Sequence, residues 1–169
     1  QIHRAYRRPL VIFTPKSLLR HPKAISDLSE LAEGRFEVVI DDIDTYSKAT
    51  KLVICAGKVF YDLLQYREEV SAEHVAIIRL EQLTPFPTDE LKNIIQQYRQ
   101  MKEVVWCQEE PRNQGGWVAL KDSIQECIAD YPLSVVSRPE AASPAVGYLS
   151  KHREQQMDLI KKVFSEERK

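Results

Sequence analysis

Apolar runs four or five residues long recur down this chain, each followed by an amphipathic stretch long enough for one helix, and that alternation leaves few folds open. Leu52-Val53-Ile54-Cys55, Val75-Ala76-Ile77-Ile78 and Val104-Val105-Trp106-Cys107 are continuous rather than alternating in polarity, the pattern of strands covered on both faces. Leu10-Val11-Ile12-Phe13, Phe36-Glu37-Val38-Val39-Ile40 and Leu133-Ser134-Val135-Val136 extend the series. Between them, Phe60, Leu63, Leu64 and Arg67, then Leu91, Ile94, Ile95 and Tyr98 behind Pro85 and Pro87, then Trp117, Leu120, Ile124 and Ile128 each fall on one helical face. Met157, Ile160, Val163 and Phe164 mark a terminal helix, and Leu18, Leu19, Ile25, Leu28 and Leu31 an early one interrupted near Pro22. Strands that alternate with helices build parallel sheets with crossovers, so we expect an α/β domain of three layers around a mostly parallel sheet of five or six strands.

The length of 169 residues, 43% of them hydrophobic, suits one domain with a substantial core. The chain opens Gln1-Ile2-His3-Arg4-Ala5-Tyr6-Arg7-Arg8 without an initiator methionine. We expect residues 1–8 to be a linker from a preceding domain and residues 9–169 to be the folded body. Lysine and arginine number 24 against 25 acids, so no net field draws the chain to nucleic acid or to an anionic membrane. The apolar runs are far too short to span a bilayer, and a soluble protein is expected. Cys55, Cys107 and Cys127 are too scattered for a disulfide framework and lack metal-ligand spacing; buried thiols are expected.

In such a sheet the breaks that follow successive strands gather at one edge. That edge would collect Lys16 and Ser17, Gly57 and Lys58, Arg79 and Gln82, and the dense run Gln108-Glu109-Glu110 closed by Asn113-Gln114-Gly115-Gly116-Trp117. Cations beside helix amino ends suit a phosphate or carboxylate, but equally suit salt bridges to Glu81, Glu109 and Glu110. Catalysis is harder to place. Glu109 and Glu110 are adjacent and point to opposite faces of an extended backbone, so they make a poor acid/base pair. Ser17 and Ser143 lack a hydrolase setting, and His21, His74 and His152 stand apart. No Gly-rich nucleotide loop and no Gly-Asp-Gly thiamine motif occurs, so no catalytic, cofactor-binding or metal residue is assigned.

Several ordered motifs nevertheless resemble one family. Arg7-Arg8-Pro9 through Arg20, Cys55-Ala56-Gly57-Lys58-Val59-Phe60-Tyr61-Asp62-Leu63, Ile78-Arg79-Leu80-Glu81-Gln82-Leu83, Trp106 through Trp117, and Ser143-Pro144-Ala145-Val146-Gly147-Tyr148 before Lys151-His152 look like the carboxyl-terminal, transketolase-like domain of 2-oxoglutarate dehydrogenase. The resemblance implies a parent that decarboxylates 2-oxoglutarate in the tricarboxylic acid cycle on thiamine diphosphate and magnesium, both bound by earlier domains. It implies a homodimer that passes a succinyl group to a lipoyl-bearing transferase, in bacterial cytoplasm or the mitochondrial matrix. The isolated segment would be inactive, and a 2-oxoadipate-using relative shares the same domain. Some relatives bind acetyl-CoA as an activator here; the resemblance places an acetyl-CoA or adenine-nucleotide effector at Arg20, Arg35, Arg79 and Gln82, which would make the domain a regulatory module. Three positions depart from the family. Val38 stands where activated relatives carry serine, and Ser137-Arg138-Pro139-Glu140 replaces a stretch with glycine before the arginine and a small residue at Glu140.

Overall fold

The structure is a computed structural model that describes residues 5, 6, 9 and 11–165. The chain divides into two units, residues 1–35 and residues 36–169. In the first unit a single turn of 3₁₀ helix at Lys16–Leu18 is followed by α1 (Leu28–Glu33). The Glu30 carboxylate accepts a hydrogen bond from the Asp27 backbone N–H at 2.9 Å, which ties down the start of that helix. The helix expected across Leu18–Leu31 shrinks to this short piece, because Pro22 lacks an N–H and restricts the residue before it. The strand expected over Leu10–Phe13 does not form across its described residues, Val11–Phe13. Leu10 and most of the linker expected over residues 1–8 lie outside the described residues, while Val11, Ile12 and Phe13 are unpaired and 71%, 72% and 94% exposed. An apolar run supplies β propensity, but a strand also needs a neighbour to pair with.

The second unit grows outward from β2 (Lys51–Cys55), every residue of which is buried. β2 lies parallel between β3 (Val75–Leu80) and β4 (Glu103–Pro111). β5 (Leu133–Arg138) extends the sheet beyond β4 in parallel, and the two-residue β1 (Val39–Ile40) closes the other side antiparallel to β3. The order is therefore β1-β3-β2-β4-β5, five strands and mostly parallel. Register places Ile54 between Ile78 and Trp106, and Cys55 between Arg79 and Cys107.

Side chains alternate across the strands and feed two separate cores. Leu52, Ile54 and Trp106 pack with Leu91 and Ile95 of α3 (Thr88–Ile95) and with Leu120, Ile124 and Ile128 of α4 (Trp117–Ile128). Val53, Cys55 and Cys107 pack on the opposite face with Val59 and Leu63 of α2 (Val59–Glu69) and with Leu159, Ile160 and Val163 of α5 (Leu149–Phe164). Three layers result. Tyr98 carries the apolar stripe of α3 past the end of that helix and is nonetheless buried. Its ring meets Tyr46 edge-on at 5.0 Å, and its hydroxyl donates to Asp41 Oδ1 at 2.7 Å.

The connections from β2 and β4 leave for opposite faces, α2 on one and α4 on the other. The loops that follow the carboxyl ends of these neighbouring strands consequently diverge, which is where open α/β sheets form a crevice.

Candidate functional site at the carboxyl edge of the sheet

β4 does not stop at Cys107. The polar run continues as strand through Gln108, Glu109 and Glu110 to Pro111, with a register irregularity against β5 between Cys107 and Pro111. Strand alternation therefore governs where these side chains go. Gln108 turns to the α4 layer and is buried. Its Oε1 accepts from Trp106 Nε1 and from the Trp117 backbone N–H, both at 2.8 Å. Its Nε2 donates to Pro111 O at 3.0 Å and to Gln114 O at 2.7 Å. One amide thus satisfies the first free N–H of α4, the buried indole and two loop carbonyls, four groups that burial would otherwise penalise.

Two glycines let this corner close. Gly115 has φ +67°, and a Cβ there would stand 3.0 Å from Glu110 Oε2 and 3.1 Å from Gln108 Nε2. At Gly116 a Cβ would fall 2.8 Å from Trp106 Cζ2. Beside the corner a crevice of about 300 Å³ is lined by Ala56, Thr84, Trp106, Gln108, Glu110 and Gly116; Glu110 itself is exposed.

Glu109 turns the other way, toward α2 and α5. Its Oε1 lies 2.8 Å from Lys58 Nζ and accepts from Gln156 Nε2 at 2.9 Å. Lys58 Nζ also reaches Asp62 Oδ2 at 3.1 Å, which accepts a second bond from Gln156 Nε2 at 2.9 Å. Gln156 Oε1 accepts from Arg138 Nη2 at 2.9 Å, and Arg138 Nη1 stands 3.2 Å from His152 Nδ1. A guanidinium only donates, so His152 Nδ1 is the acceptor and the ring proton sits on Nε2. Burial alone would lower the Lys58 pKa; the bonds and charges of Glu109 and Asp62 outweigh it, and the amine is held above its usual range. Two cations and two carboxylates, joined through Gln156, lock α2, β4, β5 and α5 together.

Arg79 and Gln82 lie at the opposite flank. The Arg79 guanidinium sits over the Phe60 ring, 4.6 Å from its centroid, and donates to the Tyr61 hydroxyl at 3.0 Å. Its Nε is 2.6 Å from Glu81 Oε1, close enough for an ion pair but not aligned as a hydrogen bond. Gln82 Nε2 donates to Pro85 O at 2.7 Å. The structure thus joins Lys58 with Glu109 directly and puts Gln108 and Glu110 on the neighbouring corner. Lys16, Ser17, Arg20 and Arg35 belong to the first unit.

Sequence reasoning missed Asp62, Arg138, His152 and Gln156. The last two sit four residues apart on one face of α5, and Asp62 lies four residues after Lys58, but the partners that give these spacings meaning lie 14 to 94 residues away. The three cysteines are buried and unpaired in the structure. Among the described residues no helix is long and apolar enough to cross a membrane.

Comparison with known proteins gives the arrangement a context. A family model described as 2-oxoglutarate dehydrogenase C-terminal matches residues 25–164. The 2-oxoglutarate dehydrogenase E1 component of Cupriavidus necator is 48% identical over 168 residues, and that of Haemophilus influenzae 46% identical over 165; they cover 98% and 96% of the chain. The mouse 2-oxoadipate dehydrogenase complex component E1 is 41% identical over 98% of the chain. The chain spans 18% of the length of each of these three relatives. Among solved structures, a split gene transketolase, an inactive beta4 tetramer, aligns with TM-score 0.52 at 16% identity, over 76% of this chain and 42% of that one, a likeness of fold alone.

Proposed function

This chain belongs to the 2-oxoglutarate dehydrogenase C-terminal family, and from that premise we propose that it is the supporting carboxyl-terminal domain of a 2-oxo acid dehydrogenase whose chemistry is done elsewhere in a longer protein. One observation carries the reading: the polar side chains that converge on the strand ends are engaged with one another. Gln108 uses both ends of its amide, and Lys58, Asp62, Glu109, Gln156 and Arg138 form a connected set. Such a cluster holds layers in place; it does not present an acid/base pair to a substrate.

The parent enzyme of this reading uses thiamine diphosphate with magnesium, which supplies carbanion stabilisation for decarboxylation. The described residues do not fit that group. No trio of His, Cys, Asp or Glu among them is placed to hold a metal, and Asp62 and Glu109 are both engaged by Lys58 and Gln156. We assign the cofactor to other domains. The proposed substrate is 2-oxoglutarate, with a homodimeric parent that hands its succinyl group to a lipoyl-bearing partner. Because relatives named for 2-oxoglutarate and for 2-oxoadipate both match along nearly the whole chain, we place the choice between them outside this domain. An acyl-CoA effector at Arg79 and Gln82 is a subordinate proposal, and its anion would have to displace Glu81 from Arg79.

A chimera tests the main reading. The segment of the Cupriavidus necator relative that matches this chain is replaced by it, and release of carbon dioxide from 2-oxoglutarate is followed with thiamine diphosphate and magnesium. Turnover within about tenfold of the parent is expected, with none from the 169-residue chain alone. A chimera that folds and dimerises yet does not turn over overturns the proposal, as does a relative that keeps full activity without the segment.

A further inference from the structure

Among the described residues the outer side of β5 offers an unused hydrogen-bonding edge: β5 is the last strand of the sheet and pairs only with β4. The Val104 N–H donates to Pro132 O at 3.0 Å, and Ser134 and Val136 stand opposite Val105 and Cys107. In a parallel ladder this register turns the N–H and C=O groups of residues 134 and 136 inward to β4. Those of Leu133, Val135 and Ser137 accordingly point away from the sheet.

Sheet edges are ordinarily blunted by charge, proline or a covering segment. Leu133 through Ser137 contain neither charge nor proline, and these residues are half-buried rather than covered. A groove of about 350 Å³ runs beside them, lined by Arg112, Val135, Val136, Ser137, Lys162 and Ser165, among others. Arg112 and Lys162 are exposed, and neither has a carboxylate partner among the described residues.

We propose that the free edge of β5 is a docking site for an extended acidic peptide segment of a partner protein, which adds beside β5 as a further parallel or antiparallel strand. Backbone groups of Leu133, Val135 and Ser137 supply its hydrogen bonds, and Arg112 and Lys162 supply charge complementarity. A second copy of this chain is the poorer occupant, because it would bring the same two cations, Arg112 and Lys162, to the shared edge. A simple anion would use the two cations and leave the strand edge untouched.

The test uses the complete 169-residue chain and two synthetic peptides of alternating valine with glutamate or with lysine, followed by backbone amide shifts and hydrogen exchange. The glutamate peptide is expected to perturb and protect the amides of Leu133, Val135 and Ser137 at millimolar concentration. Reversing both cations, Arg112→Glu with Lys162→Glu, is expected to weaken it by about tenfold or more. Val135→Pro removes one outward N–H without touching the β4 ladder and should abolish it. Four results overturn the proposal: no perturbation of those amides, equal binding of the lysine peptide, the same perturbation from inorganic phosphate alone, or concentration-dependent self-association that Val135→Pro relieves. The charge-reversed variant keeps the test decisive if the proline variant fails to fold.

Discussion

Replacing Gln108 by leucine removes the amide while keeping nearly the same volume, and the structure sets the size of the effect. Four groups lose a partner: Trp106 Nε1, the Trp117 N–H, Pro111 O and Gln114 O. Trp106 and Pro111 are buried, whereas Trp117 and Gln114 are half-buried and regain some hydration. At about 1–3 kcal/mol for each buried unsatisfied group, and about a third of that for each of the other two, the loss totals about 3–8 kcal/mol. With a urea dependence of about 2 kcal/mol/M, the unfolding midpoint should fall by about 1.5–4 M. The chain has two tryptophans, and both contact Gln108, so fluorescence reports on this corner directly. Gln108→Glu keeps the acceptor but sets carboxylate oxygen against Pro111 O and Gln114 O. The introduced carboxyl should therefore titrate in the fold above its unfolded value of about 4.3. A folded pKa raised above the unfolded one gives stability that is present at low pH and lost as pH rises, so this variant should be more stable at pH 4 relative to wild type than at pH 7. A Gln108→Leu midpoint within about 0.5 M of wild type would refute the reasoning, because it would mean that the four partners find water or one another at little cost.

Three further outcomes follow from the same geometry. Gly116→Ala should lower stability by about 1–3 kcal/mol, since its Cβ would meet Trp106 Cζ2 at 2.8 Å and Leu120 Cδ1 at 3.1 Å; an unchanged thermal midpoint counts against that close approach. Burial, then the hydrogen bond and charge of Asp41, push the Tyr46 hydroxyl up to about 12 and Tyr98 higher still. Because the folded values exceed the unfolded value of about 10, this stability is complete below about pH 10 and drains away as pH rises through about 12. Phenolate absorbance should show Tyr46 and Tyr98 still protonated at about pH 11, and their ionisation alongside free tyrosine would contradict the Asp41 pairing. Burial also drives the Cys55 thiol to about 12 and raises Cys107, leaving a Cys55 thiolate fraction of roughly 10⁻⁴ at pH 8. Mass spectrometry after iodoacetamide should find both unmodified in the native chain and modified in urea; rapid native labelling would show that the core opens.

The strands that sequence located best are those enclosed on both sides. The Leu52, Val75 and Val104 runs could be recognised because a strand between two helical layers has no polar face to interrupt its pattern. Leu10–Phe13 has the same texture, but its residues Val11–Phe13 have no ladder partner among the described residues, and pairing is not a local property. The polar tail of β4 misled in the opposite sense. Gln108-Glu109-Glu110 falls after the apolar run, where a break is expected, yet the backbone stays extended, and two of the three side chains find partners beyond the strand: Trp117 for Gln108, Lys58 and Gln156 for Glu109. Arg138 and Gln156 could not be tied to that cluster from sequence for the same reason. Their role depends on α5 folding back across the sheet, which its stripe of Met157, Ile160 and Val163 suggests without specifying the register.

Consecutive residues of one strand, Gln108 and Glu109, each grip a different helical layer. Helices packed on a sheet through apolar side chains alone can slide by small shear displacements, since hydrophobic contact has no preferred direction. A directional bond to α4 on one side and an ionic bracket to α2 and α5 on the other oppose such slippage at a common point. A push delivered to either outer surface is therefore carried through the thickness of the domain as displacement of a solid block, and any hinge must lie in the connections that leave it.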